Sequence, residues 1–147
     1  MAASLYEYYP DQVVVVFGPL IISGASDTIV SVQYNTSAFS LKVSAYGDSV
    51  RSRTNDHSGT ITVTLLQGSA SNNELSAIHF ADRHMPGGAG ILPLMVKDNS
   101  GSTLHSAATA WIRDPPASTF GVEAQDREWT FETNYLVSHI GGGKERS

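Results

Sequence analysis

Three stretches of this chain alternate apolar with small polar residues at a period of two, and that alternation most limits what it can fold into. In residues 60–66, Ile61, Val63 and Leu65 alternate with Thr60, Thr62 and Thr64. Val30, Val32 and Tyr34 oppose Ser31, Gln33 and Asn35, and Phe39, Leu41 and Val43 oppose Ser40, Lys42 and Ser44. Successive side chains of a strand point to opposite faces, so each stretch reads as a strand with one face on a core and the other in water. The wet face is rich in Ser and Thr and poor in charge. Such a face suits a long smooth wall better than a reaction centre.

The 147 residues, 41% apolar and 16% charged, suffice for one single-core domain spanning residues 1–147. With no cysteine, neither disulfides nor thiolate metal sites are available. The first ten residues lack the basic flank and apolar core of a signal peptide, and no run approaches membrane-spanning length. The expectation is a soluble protein made in the cytoplasm, without a membrane partner. A formal charge of −5 argues against tight nucleic-acid binding, which calls for a basic patch. It leaves room for a surface past which nucleic acid slides without sticking.

The apolar run at 13–17 ends at Gly18 and Pro19, and 20–22 reads as its hairpin partner. Strands follow at 28–35 and 39–45, then a turn-rich tip of Tyr46, Gly47, Asp48 and Ser49. The return segment carries Arg51, Arg53, Asp56 and His57, too polar for a core strand, so the hairpin at 43–59 is expected to project and to contact something. After the 60–66 strand, Ser71 and Glu74 have the spacing of a capping box, which predicts a helix over 72–83 ending before Pro86. Strands are expected at 91–96 and 107–113 around the turn Asp98 to Gly101, and a last one at 127–138 with Trp129, Phe131, Tyr135 and Val137 on its apolar side. Residues 1–12 form an N-terminal segment and 141–147 a flexible tail. Many short strands with one helix mean an antiparallel barrel or sandwich, whose exposed edges invite pairing with another chain.

No residues converge on a known chemistry. His57, His79, His84, His105 and His139 are scattered, and His79 and His84, five apart, do not share a helix face as zinc ligands would. The turn Asp98 to Gly101 lacks the later acidic residue of a calcium loop. The glycines at 141–143 precede Lys144 but no helix, so they do not make a phosphate loop. Glu128 and Glu132 lie on a strand face with Thr130 and Asn134, where a solvated face is the simpler reading than acid-base work. On a channel wall they would repel a DNA backbone. Lys42 and Arg51 run against that potential unless they pair with carboxylates across strands or subunits. Tyr6, Tyr8 and Tyr9 beside Pro10 are read equally as covering the chain's own core or docking on a neighbour.

Four separated runs, SGTITVTLLQGSASNNEL at 58–75, LPLMVKD at 92–98, AWIRDPP at 110–116 and REWTFET at 127–133, give the chain its resemblance to the tail tube proteins of contractile-tailed bacteriophages, themselves similar to type VI secretion tube proteins. The resemblance runs from Tyr6 to Gly142. It implies a mainly β protomer with a flanking helix, in hexameric rings whose strands join into one inner barrel, stacked within a contractile sheath as a conduit for DNA ejection. The implied partners are the chain itself, the sheath, the baseplate and terminator proteins, and double-stranded DNA in passage. No cofactor and no catalysis are implied, and the place is the virion tail, assembled in the host cytoplasm. On this resemblance the lumen candidates are Ser31, Gln33, Ser40, Lys42, Thr62, Thr64, Glu128, Thr130 and Glu132. Tyr46, Asp48, Arg51, Arg53, Asp56 and His57 belong to the inter-subunit hairpin, and Tyr6, Tyr8 and Tyr9 to terminal contacts. The alternatives are a single-ring tube initiator or terminator, or a monomeric β-sandwich binding module, for instance for carbohydrate.

Overall fold

The computed structural model describes residues 3, 5–6, 13–22, 25–142 and 145–146. Strand β1 (Leu5–Tyr6) is followed by β2 (Val13–Phe17) and β3 (Leu20–Ile22), a hairpin turned by Gly18 and Pro19. Gly18 sits at φ 58°, and a Cβ there would lie 2.8 Å from Leu92 Cδ1, so glycine is required on both counts. Then come β4 (Ala25–Tyr34), β5 (Phe39–Val43), β6 (Ser49–Arg53), β7 (Gly59–Leu65), helix α1 (Ser71–His84), β8 (Leu92–Asp98), β9 (Leu104–Asp114), β10 (Arg127–Thr133), β11 (Val137–His139) and β12 (Glu145–Arg146).

All ladders between these strands are antiparallel, and the main sheet runs β3-β2-β8-β9-β10-β7-β4, with β11 also on β9. The sheet curls over itself. Phe17 on β2 and Phe131 on β10 meet with ring centroids 5.0 Å apart, although β8 and β9 lie between their strands. Neighbouring strands sit about 4.8 Å apart, so a flat sheet would hold them near 14 Å. β9, eleven residues long, serves both halves: its first part pairs β8 and β11 and its last part β10. The result is sandwich-like, with β3 and β4 as open edges, and the closed-barrel alternative does not hold for the single chain. Val15, Leu94, Val96, Ala110, Ile112, Ile61, Val63, Leu65 and Trp129 fill the space between the halves, and Leu75 of α1 packs on them. Among the described residues no helix is long and apolar enough to cross a membrane.

The predicted elements are present, with three departures. Helix α1 begins one residue early: Ala70 is at the N-cap position and Ser71 is the first helical residue, buried, its amide donating to Ser69 Oγ at 3.3 Å. The capping box on Ser71 is therefore not formed as expected. Residues 127–138 are two strands, not one. Thr133, fully buried, donates its hydroxyl to the Thr109 carbonyl at 2.6 Å and accepts the Tyr135 amide at 3.2 Å, which bends the chain out of the ladder. Beyond the bend the parity reverses: Leu136 is buried, whereas Tyr135 and Val137, expected inside, are 53% and 54% exposed. The third departure is in β5, whose Phe39, Leu41 and Val43, read as core-facing, are 49%, 69% and 58% exposed.

Of the C-terminal segment, residues 143, 144 and 147 lie outside the described ones. Gly141 and Thr103 exchange bonds at 3.2 Å, and the Ser102 amide donates to the Gly142 carbonyl at 3.0 Å. Glu145–Arg146 pairs antiparallel with β1.

Candidate assembly surfaces

The outward face of β4, β7 and β10 is a continuous polar wall. The ladder aligns Ser31 with Thr62 and Thr130 in one row, and Gln33 with Thr60 and Glu132 in the next; Thr64 lies opposite Glu128. The other parity of β7 and β10, from Ile61 to Leu65 and from Trp129 to Phe131, is the buried core. Thr and Ser on the wet side keep β-branched or small side chains on a pleated surface while satisfying water. Charge on this wall is sparse and mostly negative. Arg113 pairs with Asp114 at 3.0 Å and Glu132 at 3.3 Å, and those carboxylates hold its guanidinium above its ordinary pKa; Glu128 is exposed nearby. Seven of the nine lumen candidates, Ser31, Gln33, Thr62, Thr64, Glu128, Thr130 and Glu132, lie on this wall. Ser40 and Lys42 do not: they belong to the separate β5–β6 sheet, pairing with Ser52 and Val50.

That two-stranded sheet leaves the main one where Tyr34 pairs with Gly59. All ten of its strand residues are exposed. At its tip Ser44 and Asp48 close the turn through a 2.7 Å backbone bond, Gly47 takes φ 90°, and Tyr46 is 96% exposed. Arg51 lies over the Phe39 ring at 3.9 Å, so its partner within the chain is an aromatic face and not a carboxylate. Val50, 63% exposed, pairs with Lys42 and so lies on the opposite face from Phe39, Leu41 and Val43.

Polar bonds fix the base of this arm. Asp56 accepts the Thr36 hydroxyl at 2.6 Å and the Ser58 amide at 2.9 Å, and hydrogen bonds to Ser58 and Thr36 lower its pKa from 3.8 to about 2. His57 stacks on Tyr135 at 4.7 Å, and its carbonyl accepts the Leu136 amide at 2.8 Å. The Tyr34 hydroxyl donates to the Leu136 carbonyl at 3.0 Å. Arg53, Asp56 and His57 also line a cavity of about 620 Å³ at this end. Tyr46, Asp48 and Arg51 lie along the arm itself. Tyr6 falls in β1, paired with Glu145, while Tyr8 and Tyr9 lie outside the described residues.

At the opposite end of β7, where Leu65 pairs with Arg127, a second cavity of about 520 Å³ opens between the start of α1 and the 115–126 loop. Arg127, Trp129, Asn72, Pro115, Pro116 and Phe120 are among its walls. Sequence reasoning missed it. The available signal was an arginine on the parity that otherwise carries Trp129 and Phe131. Among the described residues no group of three metal-ligating side chains occurs, and the Asp98 turn is explained by Ser100 donating its amide at 2.9 Å and its hydroxyl at 2.5 Å to the carboxylate.

A curled antiparallel sheet with one helix carries a polar wall, open edges and a projecting arm. The family model described as bacteriophage PhiTE tail tube protein matches residues 18–141, and the chain belongs to that family of tail tube proteins. It is 31% identical over 152 residues to structural protein ORF10 of Pseudomonas phage KPP10, covering 98% of this chain and 88% of that protein. Its fold is similar to the tube-terminating cap of the anti-feeding prophage, with a TM-score of 0.61 at 10% identity over 95% of each chain. It is also similar to a chain in the extended sheath-tube complex of the PVC extracellular contractile injection system, with a TM-score of 0.59 at 12% identity over 91% of this chain and 92% of that one. The family is one of structural proteins of the phage virion.

Proposed function

We propose that the chain is the major tail tube protein of a contractile tail, without enzymatic activity, forming hexameric rings that stack into a hollow conduit for DNA ejection. The observation that carries this reading is the polar wall ending at an open edge. Among the described residues β4 is an edge strand, and it stands beside a Ser and Thr face that is open from Ser31 to Thr62 and Thr130. An edge of this kind is stable in water only when blunted or paired, and ring closure pairs it. The wall then lines the lumen, where sparse negative charge keeps DNA from adhering. The exposed arm reaches the adjacent ring. In this reading the outer surface meets the sheath, the ends of the stack meet baseplate and terminator proteins, and no cofactor takes part.

A single-ring terminator is the second reading, favoured by the likeness to the prophage cap fold. Negative-stain electron microscopy of the concentrated purified protein separates the two. Stacked tubes support the major tube protein, rings that never stack support the terminator, and monomers that also fail to extend on a baseplate count against both.

A further inference from the structure

Arg127 is 8% exposed, and its guanidinium donates only to the carbonyls of Thr119 and Gln125, all at 3.4 Å; no carboxylate among the described residues pairs with it. The Phe120 ring lies 5.5 Å from the guanidinium, and neither this aromatic face nor the long bonds to carbonyls match its best partner, a carboxylate that accepts two of its N–H groups. The cavity it lines has a volume within the range of ligand pockets, roughly 300–1,000 Å³, and its other walls combine the rings of Pro115, Pro116, Phe120 and Trp129 with polar residues, Asn72 and Ser118 among them. Phe120, one of its walls, is itself exposed. The site is shaped for an aromatic side chain next to an acid.

The tip of the arm bears that pair: Tyr46, 96% exposed, and Asp48 two residues on, also exposed. Arm and cavity lie at opposite ends of β7, whose seven residues separate them by roughly 20 Å. One copy therefore cannot close the contact on itself, but successive copies can. We propose that this cavity receives the arm of a second copy, Tyr46 entering between the rings of Pro115, Phe120 and Trp129 while Asp48 pairs with Arg127. A contact between two different surfaces repeats head to tail and builds an open stack. The cavity at the base of the arm fits less well, because it lies at the arm's own end of the sheet and already holds a carboxylate, Asp56.

The inference rests on the tube reading, and the chain's lack of cysteine allows a direct test. Tyr46→Cys and Ser118→Cys are made in separate preparations, mixed, assembled into tubes and oxidised, with Ser37→Cys at the arm-base cavity as the competitor. A Tyr46→Cys to Ser118→Cys disulfide dimer is expected, at least tenfold more abundant than the dimer with Ser37→Cys. Tubes that cross-link to Ser37→Cys instead, or to neither, overturn the docking site and leave the tube reading intact. Failure of the unsubstituted protein to form any ring or tube overturns both. Asp48→Asn, at an exposed position, is expected to raise the concentration needed for tube growth several-fold without changing the unfolding midpoint; unchanged growth contradicts the ion pair.

Discussion

Phe17 and Phe131 stand edge to face, their rings at 67° and their centroids 5.0 Å apart, and both are fully buried. The contact joins β2 to β10 across the inside of a sheet in which two strands separate them, so it reports the curl directly. Truncation at either position leaves a cavity between the two halves. Phe131→Ala is expected to cost about 3–5 kcal/mol of stability in denaturant unfolding of the unassembled protein. A loss below about 1 kcal/mol would mean that the curl is held elsewhere.

Gly59 lies where the arm leaves the sheet, and a Cβ there would fall 2.5 Å from Leu136 Cδ2, 3.0 Å from Leu136 Cβ and 3.2 Å from the Gln33 carbonyl oxygen. Leu136 is itself buried, with little room to give. Gly59→Ala should destabilise the protein by about 1–3 kcal/mol through overpacking. Thermal unfolding checks this; an unchanged midpoint would show that Leu136 can move aside.

Asp56 ties Thr36 to Ser58 at the base of the arm. Its folded pKa, about 2, lies below its ordinary 3.8, so its contribution is complete above about pH 4 and is lost as pH falls through about 2. An NMR titration should find its carboxyl midpoint near 2, and faster exchange of the Ser58 amide below that pH. A midpoint near 3.8 would mean the bonds to Thr36 and Ser58 do not persist in solution. Asp56→Asn removes the pH dependence at this site.

On one face of the arm Phe39, Leu41 and Val43 are exposed, with the Arg51 guanidinium over the Phe39 ring. Replacing Leu41 and Val43 with Ser should change protomer stability by less than about 0.5 kcal/mol, the usual effect of exposed positions, and abolish stacking. Arg51→Glu with Arg53→Glu should likewise weaken stacking with the protomer fold intact. Sedimentation of assembled against free protein reads both, and normal filaments would remove the arm from the contact.

Local alternation made the strands legible. Ile61, Val63 and Leu65 face the core as their parity requires, with Thr62 and Thr64 opposite. Parity says that a strand has two different faces, and not what covers the apolar one. That is why Phe39, Leu41 and Val43 read as core although they are exposed in the single chain. At Thr133 and Tyr135 the alternation fails for a different reason: one hydroxyl capturing a nearby amide reverses the phase, and no sum over hydrophobicity registers it. Ser40 and Lys42 share the pattern of Ser31 and Thr62 but sit in another sheet, since strand pairing is a long-range choice. Arg127 was hidden because its cavity depends on where the 115–126 loop folds.

A cryo-electron microscopy reconstruction of the assembled protein tests the central claim most directly. The account predicts stacked six-fold rings with Ser31, Thr62 and Thr130 facing an open channel and the β4 edge paired to a neighbouring subunit. A tube whose channel is lined by the opposite end of the sheet, or an assembly that leaves β4 unpaired, would contradict it.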